Sequence, residues 1–508
     1  MNKLLQKEFG FHELEIKQLN GYDNENFLIT TDSGKFVFKT YSETTGSIAL
    51  VEAENAALLF LHREENNLFP KPIPFSDGSL IKTLEVDGSK KVCRALSFLE
   101  GQFSGEVNHT KTMFQSLGVL LAKMNLKLQA FDSEAIRTRE WEWGIQHLHL
   151  NKAYLTDIDD AGNRALVTYF FQQFEENVSP TLHLLRRATI HNDANEWNVL
   201  VNNGEVSGLI DFGDLAYSPL INELAVAISY ACFDKENPIE WASIILKSYH
   251  EVLALEENEI AVLYYLIAAR LCTSLCNAAH SKKTNPDNKY AFGSEKQAWN
   301  LLHRWISINP IAAENSFRSA IGLAVLPVKS TNEMVEERLE LLSPALTLTY
   351  SKPIVLSRSA FQYMYDVYGN TYLDAYNNIP HVGHSHPLVV EAGQRQMAKL
   401  NTNTRYLNDL LPEYANKLLS KFPDTLNRVF LVNSGSEASD LAIRIARTHS
   451  GHNNIMVMEH GYHGQTQTDI DISDYKFSNK VGQGQKDYII KAVLPDTYRG
   501  KYTRNNGS

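Results

Sequence analysis

Cysteine is scarce in this chain. Only Cys93, Cys232, Cys272 and Cys276 occur among 508 residues, too few for a disulfide scaffold. Cys272 and Cys276 lie one helical turn apart in an apolar segment without partner histidines, which reads as core packing rather than a metal site. Basic charge is also short: 48 Lys and Arg stand against 59 Asp and Glu, a net charge of −11. No Lys/Arg cluster marks a nucleic-acid or membrane-surface site. No apolar run reaches the ~18 residues of a membrane span. The first residues, Met-Asn-Lys-Leu-Leu-Gln-Lys-Glu, lack the apolar core of a signal peptide. No internal repeat or low-complexity stretch is found. These absences lead to the expectation of a cytoplasmic protein with neither nucleic-acid nor membrane partners. Hydrophobic content of 44% and charged content of 21% are ordinary for globular protein, and the length fits two large domains.

Chemistry concentrates between 191 and 213. His191, Asp193 and Asn198 are spaced as H-x-D-x-x-x-x-N, and Asp211-Phe-Gly213 follows. Asn198-Val-Leu-Val-Asn202 is apolar and β-branched and predicts a strand. Asn203-Gly204 is a two-residue turn whose positions both favour positive φ, and Val206 to Asp211 forms the returning strand. In that register Asn198 faces Leu209. Asp211 is then diagonal to Asn198, roughly 7–8 Å away between backbones and within side-chain reach of one ion. Hard oxygen ligands of this kind suit Mg²⁺, which keeps waters and substrate phosphates as further ligands. Asp193, on the loop entering the hairpin, is placed to accept a hydroxyl proton.

An upstream half accompanies this motif. Asn26–Thr31 and Lys35–Tyr41 flank Asp32-Ser-Gly34 as a hairpin, and Gly21–Asn26 forms a loop suited to lie over phosphates. Lys39 sits inside an apolar strand, where an unpaired ammonium is costly. It calls for an anionic partner, either nucleotide phosphate or a carboxylate. Val51–Leu61 is a strong helix by propensity and leaves Glu54 or Glu52 available to Lys39. Phe114–Met124 is amphipathic at helical spacing, and more helices follow over 219–307. Trp241, Tyr264, Tyr265 and Trp299 either line a substrate pocket or belong to the core. Asp214 and Glu223 either meet a substrate ammonium or cap helices.

These residues together resemble the aminoglycoside phosphotransferase and choline-kinase-like superfamily, within it most nearly the hydroxylysine-kinase-like enzymes. The resemblance implies an α+β, protein-kinase-like bilobal domain over 1–322 that uses ATP and Mg²⁺. It makes Asp193 the catalytic base and Asn198 and Asp211 the metal ligands. It puts Lys39 on the α- and β-phosphates with Glu54 as its partner, and makes Arg94–Gly101 the hinge that meets the adenine. The Gly21 loop departs from G-x-G-x-x-G.

The helical pattern breaks at Leu326–Asn332, and a short helix resumes at Glu333–Leu342, so a linker is placed at 323–340. Tyr365–Asp374 predicts a hairpin turning at Gly369-Asn370. Asn377–Pro387 carries His381, His384 and His386, a run that suggests either a metal site or a structured loop. Arg428–Asn433 predicts a buried strand, and Ser434-Gly-Ser-Glu-Ala438 opens a helix over Ser439–Arg447. Free N–H groups at such a helix start make a phosphate cradle. Ile455–Met458 predicts another strand, ending in His460-Gly-Tyr-His-Gly464.

This second set resembles class III pyridoxal-phosphate enzymes, most nearly the phospho-lyase branch. It implies an incomplete α/β, fold-type I PLP-dependent transferase domain over 341–508 and, where that domain is complete, a homodimer. Ser434, Gly435 and Ser436 would bind the cofactor phosphate. Tyr462 would stack on the pyridine ring, with His463 also among the cofactor-binding residues. Domains of that family are much longer than this segment. No segment resembling the one with the Asp for the pyridine nitrogen is found, nor one resembling the Schiff-base lysine context. The expectation is therefore a truncated, inactive half. The two resemblances together imply phosphorylation of a small amino alcohol or amino acid. The alternatives are an aminoglycoside kinase, or a C-terminal part that only binds or dimerises.

Overall fold

The structure, a computed structural model, describes the chain apart from residues 12–13, 20–23, 33, 43–46, 64–66, 288–291, 378–380 and 505–508. The core of the expected phosphate loop at Gly21–Asn26 lies outside the described residues, as do three residues of the Asn377–Pro387 run. Two compact units are present, Met1–Lys399 and Leu400–Ser508.

The first unit begins with α1 (Asn2–Phe9), β1 (Glu15–Leu19), β2 (Glu25–Thr31), β3 (Gly34–Ser42) and α2 (Ser47–Leu61), then β4 (Pro72–Ile73), β5 (Lys82–Val86) and β6 (Ser89–Ser97). The six strands form one sheet in the order β1-β2-β3-β6-β4, with β5 also on β6. Alternation along β3 explains its placement. Phe36 and Phe38 are buried in a small core with Leu5, Phe9 and Phe75, while Lys39 has the opposite parity. After β6 the chain passes through 98–101 to β7 (Gln102–Phe103), which belongs to a different sheet. The hinge is therefore 98–101, and Arg94 lies inside β6 rather than in the hinge as the sequence predicts.

The helical lobe follows. It holds α3 (Lys111–Leu128), α4 (Glu134–Arg137), α5 (Ala161–Asn177), β8 (Arg187–Ile190), β9 (Val199–Asn202), β10 (Glu205–Leu209), β11 (Ala216–Pro219), α6 (Ile221–Ala231), α7 (Pro238–His250), α8 (Glu257–Thr284), α9 (Glu295–Trp305) and α10 (Pro310–Ala320). Side chains define several helix starts. Thr110 accepts from the Met113 N–H, Asp160 from Asn163, and Asn237 from Glu240 just before Pro238, satisfying groups a helix start leaves open. The lobe shares one large core, to which Tyr264 belongs. Gly118 on α3 faces α7 so closely that a Cβ would lie 2.4 Å from the Ile245 carbonyl oxygen.

One expectation is corrected here. Helix α8 has an 18-residue window of mean hydropathy 1.5, apolar and long enough to cross a bilayer. Its burial explains that composition, since 89% of the window is covered by protein. Cys272 and Cys276 are buried within it and unpaired.

α11 (Thr331–Leu341) opens on a capping box between Ser330 and Glu333. Then come β12 (Leu356–Ala360), β13 (Tyr363–Asp366) and β14 (Thr371–Leu373), an antiparallel trio, and α12 (Pro387–Lys399). Gly369, at φ 93, turns the predicted hairpin. Ala360 and Tyr365 join the core of the helical lobe.

The second unit holds α13 (Leu410–Leu419), α14 (Gly435–Ser450), β15 (Ile455–Met458), α15 (Gln467–Ile472), α16 (Asp474–Phe477) and β16 (Ile489–Ala492). β15 and β16 pair in parallel over a small core of Val457, Ile472, Phe477 and Ile489. The strand predicted at Arg428–Asn433 does not form. No described strand pairs with it, and Phe430 is 70% exposed. An apolar β-branched run becomes a strand only where a neighbour accepts its hydrogen bonds.

Candidate active site

The predicted hairpin is present, with one change of register. Asn203 and Gly204 have φ of 52 and 81, as that turn requires. A bulge between Val206 and Gly208 makes Leu209 face Val199 rather than Asn198, and the Ile210 N–H donates to the Asn198 carbonyl at 2.9 Å. In a regular strand this one-residue shift would turn Asp211 away. The backbone of Asp211 is instead left-handed, φ 62 and ψ 77, and its side chain meets Lys39 of β3.

Asp193 is held from three sides. Its Oδ1 accepts from Arg270 Nη2 at 2.8 Å. Its Oδ2 accepts from Asn198 Nδ2 at 2.7 Å and Asn195 Nδ2 at 3.0 Å. Burial, then the nearby charge of Asp214, pushes its carboxyl above the ordinary range, and Arg270 opposes them. Asn198 spends its amide nitrogen on Asp193, leaving its carbonyl oxygen as the atom of ligand type.

His191 positions this loop. Its Nδ1 accepts from the Asp193 N–H at 3.2 Å, and its Nε2 meets the Ile210 carbonyl at 3.0 Å. A carbonyl only accepts, so the ring proton sits on Nε2. Burial lowers the ring to about 4, so it is neutral at pH 7. Phe212 packs edge-on against it, centroids 4.7 Å apart. Glu223, fully buried, accepts the His191 N–H at 2.7 Å, and burial raises it to about 7. It clamps the loop, so neither expected role, substrate ammonium or helix cap, is the one it has. Asp214 accepts from Trp141 Nε1 at 3.1 Å.

Lys39 and Glu54 are both buried, but they are not each other's partner. Lys39 Nζ lies 2.7 Å from Asp211 Oδ1, and Glu54 pairs with Arg94. The register of β3 on β6 sets Lys39 directly opposite Arg94, which puts two cations side by side on one face. The longer guanidinium takes Glu54, Asn55 Oδ1 at 3.1 Å and the Tyr41 hydroxyl at 3.0 Å. The ammonium takes Asp211. Burial alone would lower Lys39, yet Asp211 holds it above its ordinary value. Burial raises Glu54 despite Arg94. Glu52, the other carboxylate considered, is exposed.

Arg270 is the functional residue the sequence reading missed. It is 1% exposed inside α8 and also donates to the Trp143 carbonyl at 2.9 Å and the Tyr230 hydroxyl at 3.1 Å. The signal was available, because a guanidinium within the apolar run Ala261–Leu271 needs an anion as much as Lys39 does.

The donor set fits a hard divalent cation. Asp193, Asp211 and Asp214 are close enough to perturb one another, and a cation relieves that repulsion. No group of three His, Cys, Asp or Glu side chains encloses a metal among the described residues. The Asn198 carbonyl oxygen and the Asp211 carboxylate are oxygen donors of the kind Mg²⁺ takes, with water and phosphate oxygens completing such a shell.

In the second unit Ser434 caps α14 by accepting the Glu437 N–H at 3.1 Å. Gly435 and Ser436 open the helix, and Ser436 Oγ accepts the Gln465 N–H at 3.0 Å. The helix start that the resemblance gives to the cofactor phosphate is thus formed, with both serine hydroxyls engaged within the chain. The ring end is not assembled: Tyr462 is half exposed beside Tyr475, and buried His463 Nε2 has no partner among the described residues. The residues present fit the group only in part. His384 bonds Asp374 at 2.6 Å, and the run His381–His386 forms no metal cluster among the described residues.

Comparison with known proteins separates the two sets of site residues, although the second match begins inside the first compact unit. Residues 15–259 match the phosphotransferase enzyme family and residues 348–506 match aminotransferase class-III. The chain is similar to mouse hydroxylysine kinase, 27% identical over 61% of this chain and 89% of that protein. It is similar to a Drosophila melanogaster alanine--glyoxylate aminotransferase 2-like protein, 44% identical over 34% of this chain and 35% of that protein. It is also similar to the Caenorhabditis elegans ethanolamine-phosphate phospho-lyase homolog 1, 39% identical over 35% of this chain and 38% of that protein. The chain thus spans little more than a third of the length of these two class III relatives. Its N-terminal region thus resembles the phosphotransferase enzyme family, and its C-terminal region the class III aminotransferases.

Proposed function

We propose that the N-terminal region transfers the γ-phosphoryl group of ATP to the hydroxyl of a small hydroxylated amine or amino acid. The observation that carries this reading is the Asp193 carboxylate, fixed by Arg270 and Asn198 beside Asp211 and Lys39. In this reading Asp193 takes the acceptor's hydroxyl proton as the new O–P bond forms, and the electron pair of the broken P–O bond leaves with ADP. Asn198 and Asp211 would hold Mg²⁺, which when bound would supply charge neutralisation at the transferred phosphate. Lys39 would meet the α- and β-phosphates, and Arg94 with Glu54 supports the strand that carries Lys39.

The acceptor class is supported by similarity to hydroxylysine kinases of mouse and cattle and by fusion to a class III segment similar to a phospho-lyase homolog. A phosphorylated amino alcohol is a natural substrate for such a lyase, an argument from analogy between families. The class III segment is proposed to supply only the phosphate end of a pyridoxal-phosphate site, without turnover from residues 348–506 alone. The cytoplasm is the proposed compartment, in keeping with four buried, unpaired cysteines.

The test is ATP consumption with Mg²⁺ across ethanolamine, choline, hydroxylysine, homoserine and kanamycin. Turnover with an amino alcohol or hydroxylated amino acid is expected. Turnover with kanamycin alone, or with none of them, refutes the assignment.

A further inference from the structure

The class III-matched segment packs against the phosphotransferase lobe through a buried polar contact. Tyr365 on β13, 1% exposed, donates its hydroxyl to the Ile306 carbonyl just after α9. Asn309, before α10, donates through Nδ2 to the carbonyls of Asp366 and Asn370 at 2.9 and 3.0 Å, while its Oδ1 accepts the Ile311 N–H. The hairpin that supplies those carbonyls is itself fixed. The buried Asp366 carboxylate accepts the Tyr368 and Asn370 N–H groups, the Asn370 side chain and the Tyr372 hydroxyl. A Cβ on Gly369 would meet Ala312 at 3.1 Å.

The turn held in this way is one end of α9. At the other end the Ser294 hydroxyl donates to Glu196 Oε1. Glu196 lies in the catalytic loop between Asp193 and Asn198. Its Oε2 is shielded from solvent and has no partner among the described residues, so Ser294 is its one side-chain tie there. Glu196 is electrostatically coupled to Arg270 and Tyr230, the residues gathered at Asp193 Oδ1. Helix α9 spans about 16 Å and is anchored on α8 by Lys282–Glu295 and by Trp305 Nε1 on the Tyr264 carbonyl at 3.1 Å.

We propose that the β13–β14 hairpin of the class III segment is a positioning element of the phosphotransferase. It holds the Ile306–Asn309 turn, which sets α9, and through Ser294 it places Glu196 and with it the catalytic loop. The coupling is reciprocal, so acceptor binding at the loop is felt at the hairpin. The kinetic arm of the test rests on the phosphotransferase reading above, and the exchange arm does not.

The test uses the full chain as Tyr365→Phe, Ser294→Ala and the double variant. Tyr365→Phe removes one hydroxyl and keeps the ring in the core. Each single variant is expected to raise the acceptor KM about fivefold, the worth of one hydrogen bond, with the ATP KM unchanged. The double variant is expected to be no worse than the weaker single, because both break one chain of contacts. Backbone hydrogen exchange at 192–199 should quicken in Tyr365→Phe. Unchanged acceptor KM and exchange in Tyr365→Phe, or effects that multiply in the double variant, overturn the proposal. If the wild type phosphorylates no acceptor, the phosphotransferase reading fails, and exchange at 192–199 alone decides the coupling.

Discussion

Asp193→Asn isolates the proton acceptor from its setting. The three side-chain groups on the Asp193 carboxylate are all donors: Arg270 Nη2, Asn198 Nδ2 and Asn195 Nδ2. An amide keeps one accepting oxygen and turns an N–H₂ towards donors on the other side. With the buried Arg270 guanidinium also losing its carboxylate partner, the mismatch costs about 3–5 kcal/mol. Removing a negative charge from beside Asp214 and Asp211 offsets part of it, so the variant should fold. Catalysis should suffer as well. Losing a general base lowers rate by roughly 10²–10⁴, or about 3–5 kcal/mol in the barrier. The nucleotide's expected partners Lys39, Asn198 and Asp211 are untouched. A coupled ADP-release assay with the best acceptor, beside titration with a fluorescent ATP analogue, should show lost turnover and retained binding. Turnover within tenfold of wild type at unchanged nucleotide affinity would refute the role of Asp193 as base.

Further outcomes follow from the same contacts. Lys39→Met should raise the ATP KM roughly 10–100-fold, the worth of a charge-assisted hydrogen bond, and steady-state kinetics with an unchanged ATP KM would remove Lys39 from the phosphate site. Glu223 rises from 4.5 to about 7 on folding, so its contribution to stability is full below about 4.5 and lost as pH climbs through 7. Glu223→Gln does not titrate and should gain on wild type by up to about 3 kcal/mol between pH 5 and 8. Urea midpoints at the two pH values measure this, and equal differences at both would contradict it. Gly118→Ala sets two effects against each other: helix propensity favours Ala by about 1 kcal/mol, while the 2.4 Å approach to the Ile245 carbonyl implies overpacking of about 1–3 kcal/mol. Net destabilisation is expected in urea unfolding, and a stabilised variant would mean that α3 and α7 separate freely.

The parts of the site written locally were legible. Asp193, Asn198 and Asp211 are fixed by loop spacing and by a turn that Asn203-Gly204 announces, and the fold brings all three together. Lys39 was found because an ammonium in an apolar strand needs an anion. Its partner was not, because the pairing of β3 with β6, which introduces Arg94, joins segments distant in sequence. The bulge at 206–208 has no sequence signature strong enough to correct the register, and the left-handed Asp211 compensates for it. Arg270 was missed although the argument that found Lys39 applied to it. The strand expected at 428–433 failed for a different reason: apolar, β-branched composition records a tendency to pair, and pairing needs a neighbour.

The contact between Lys39 and Asp211 joins a strand of the six-stranded sheet to a residue on the far side of the hinge. The two lobes are therefore latched by their own charges. On the proposed reading, nucleotide entry is an ion exchange: Asp211 leaves the ammonium for the metal, and a phosphate replaces it at Lys39. Lys39 is buried at this contact, so added salt screens the latch little. The barrier to entry would instead be set by how readily Asp211 gives up the ammonium.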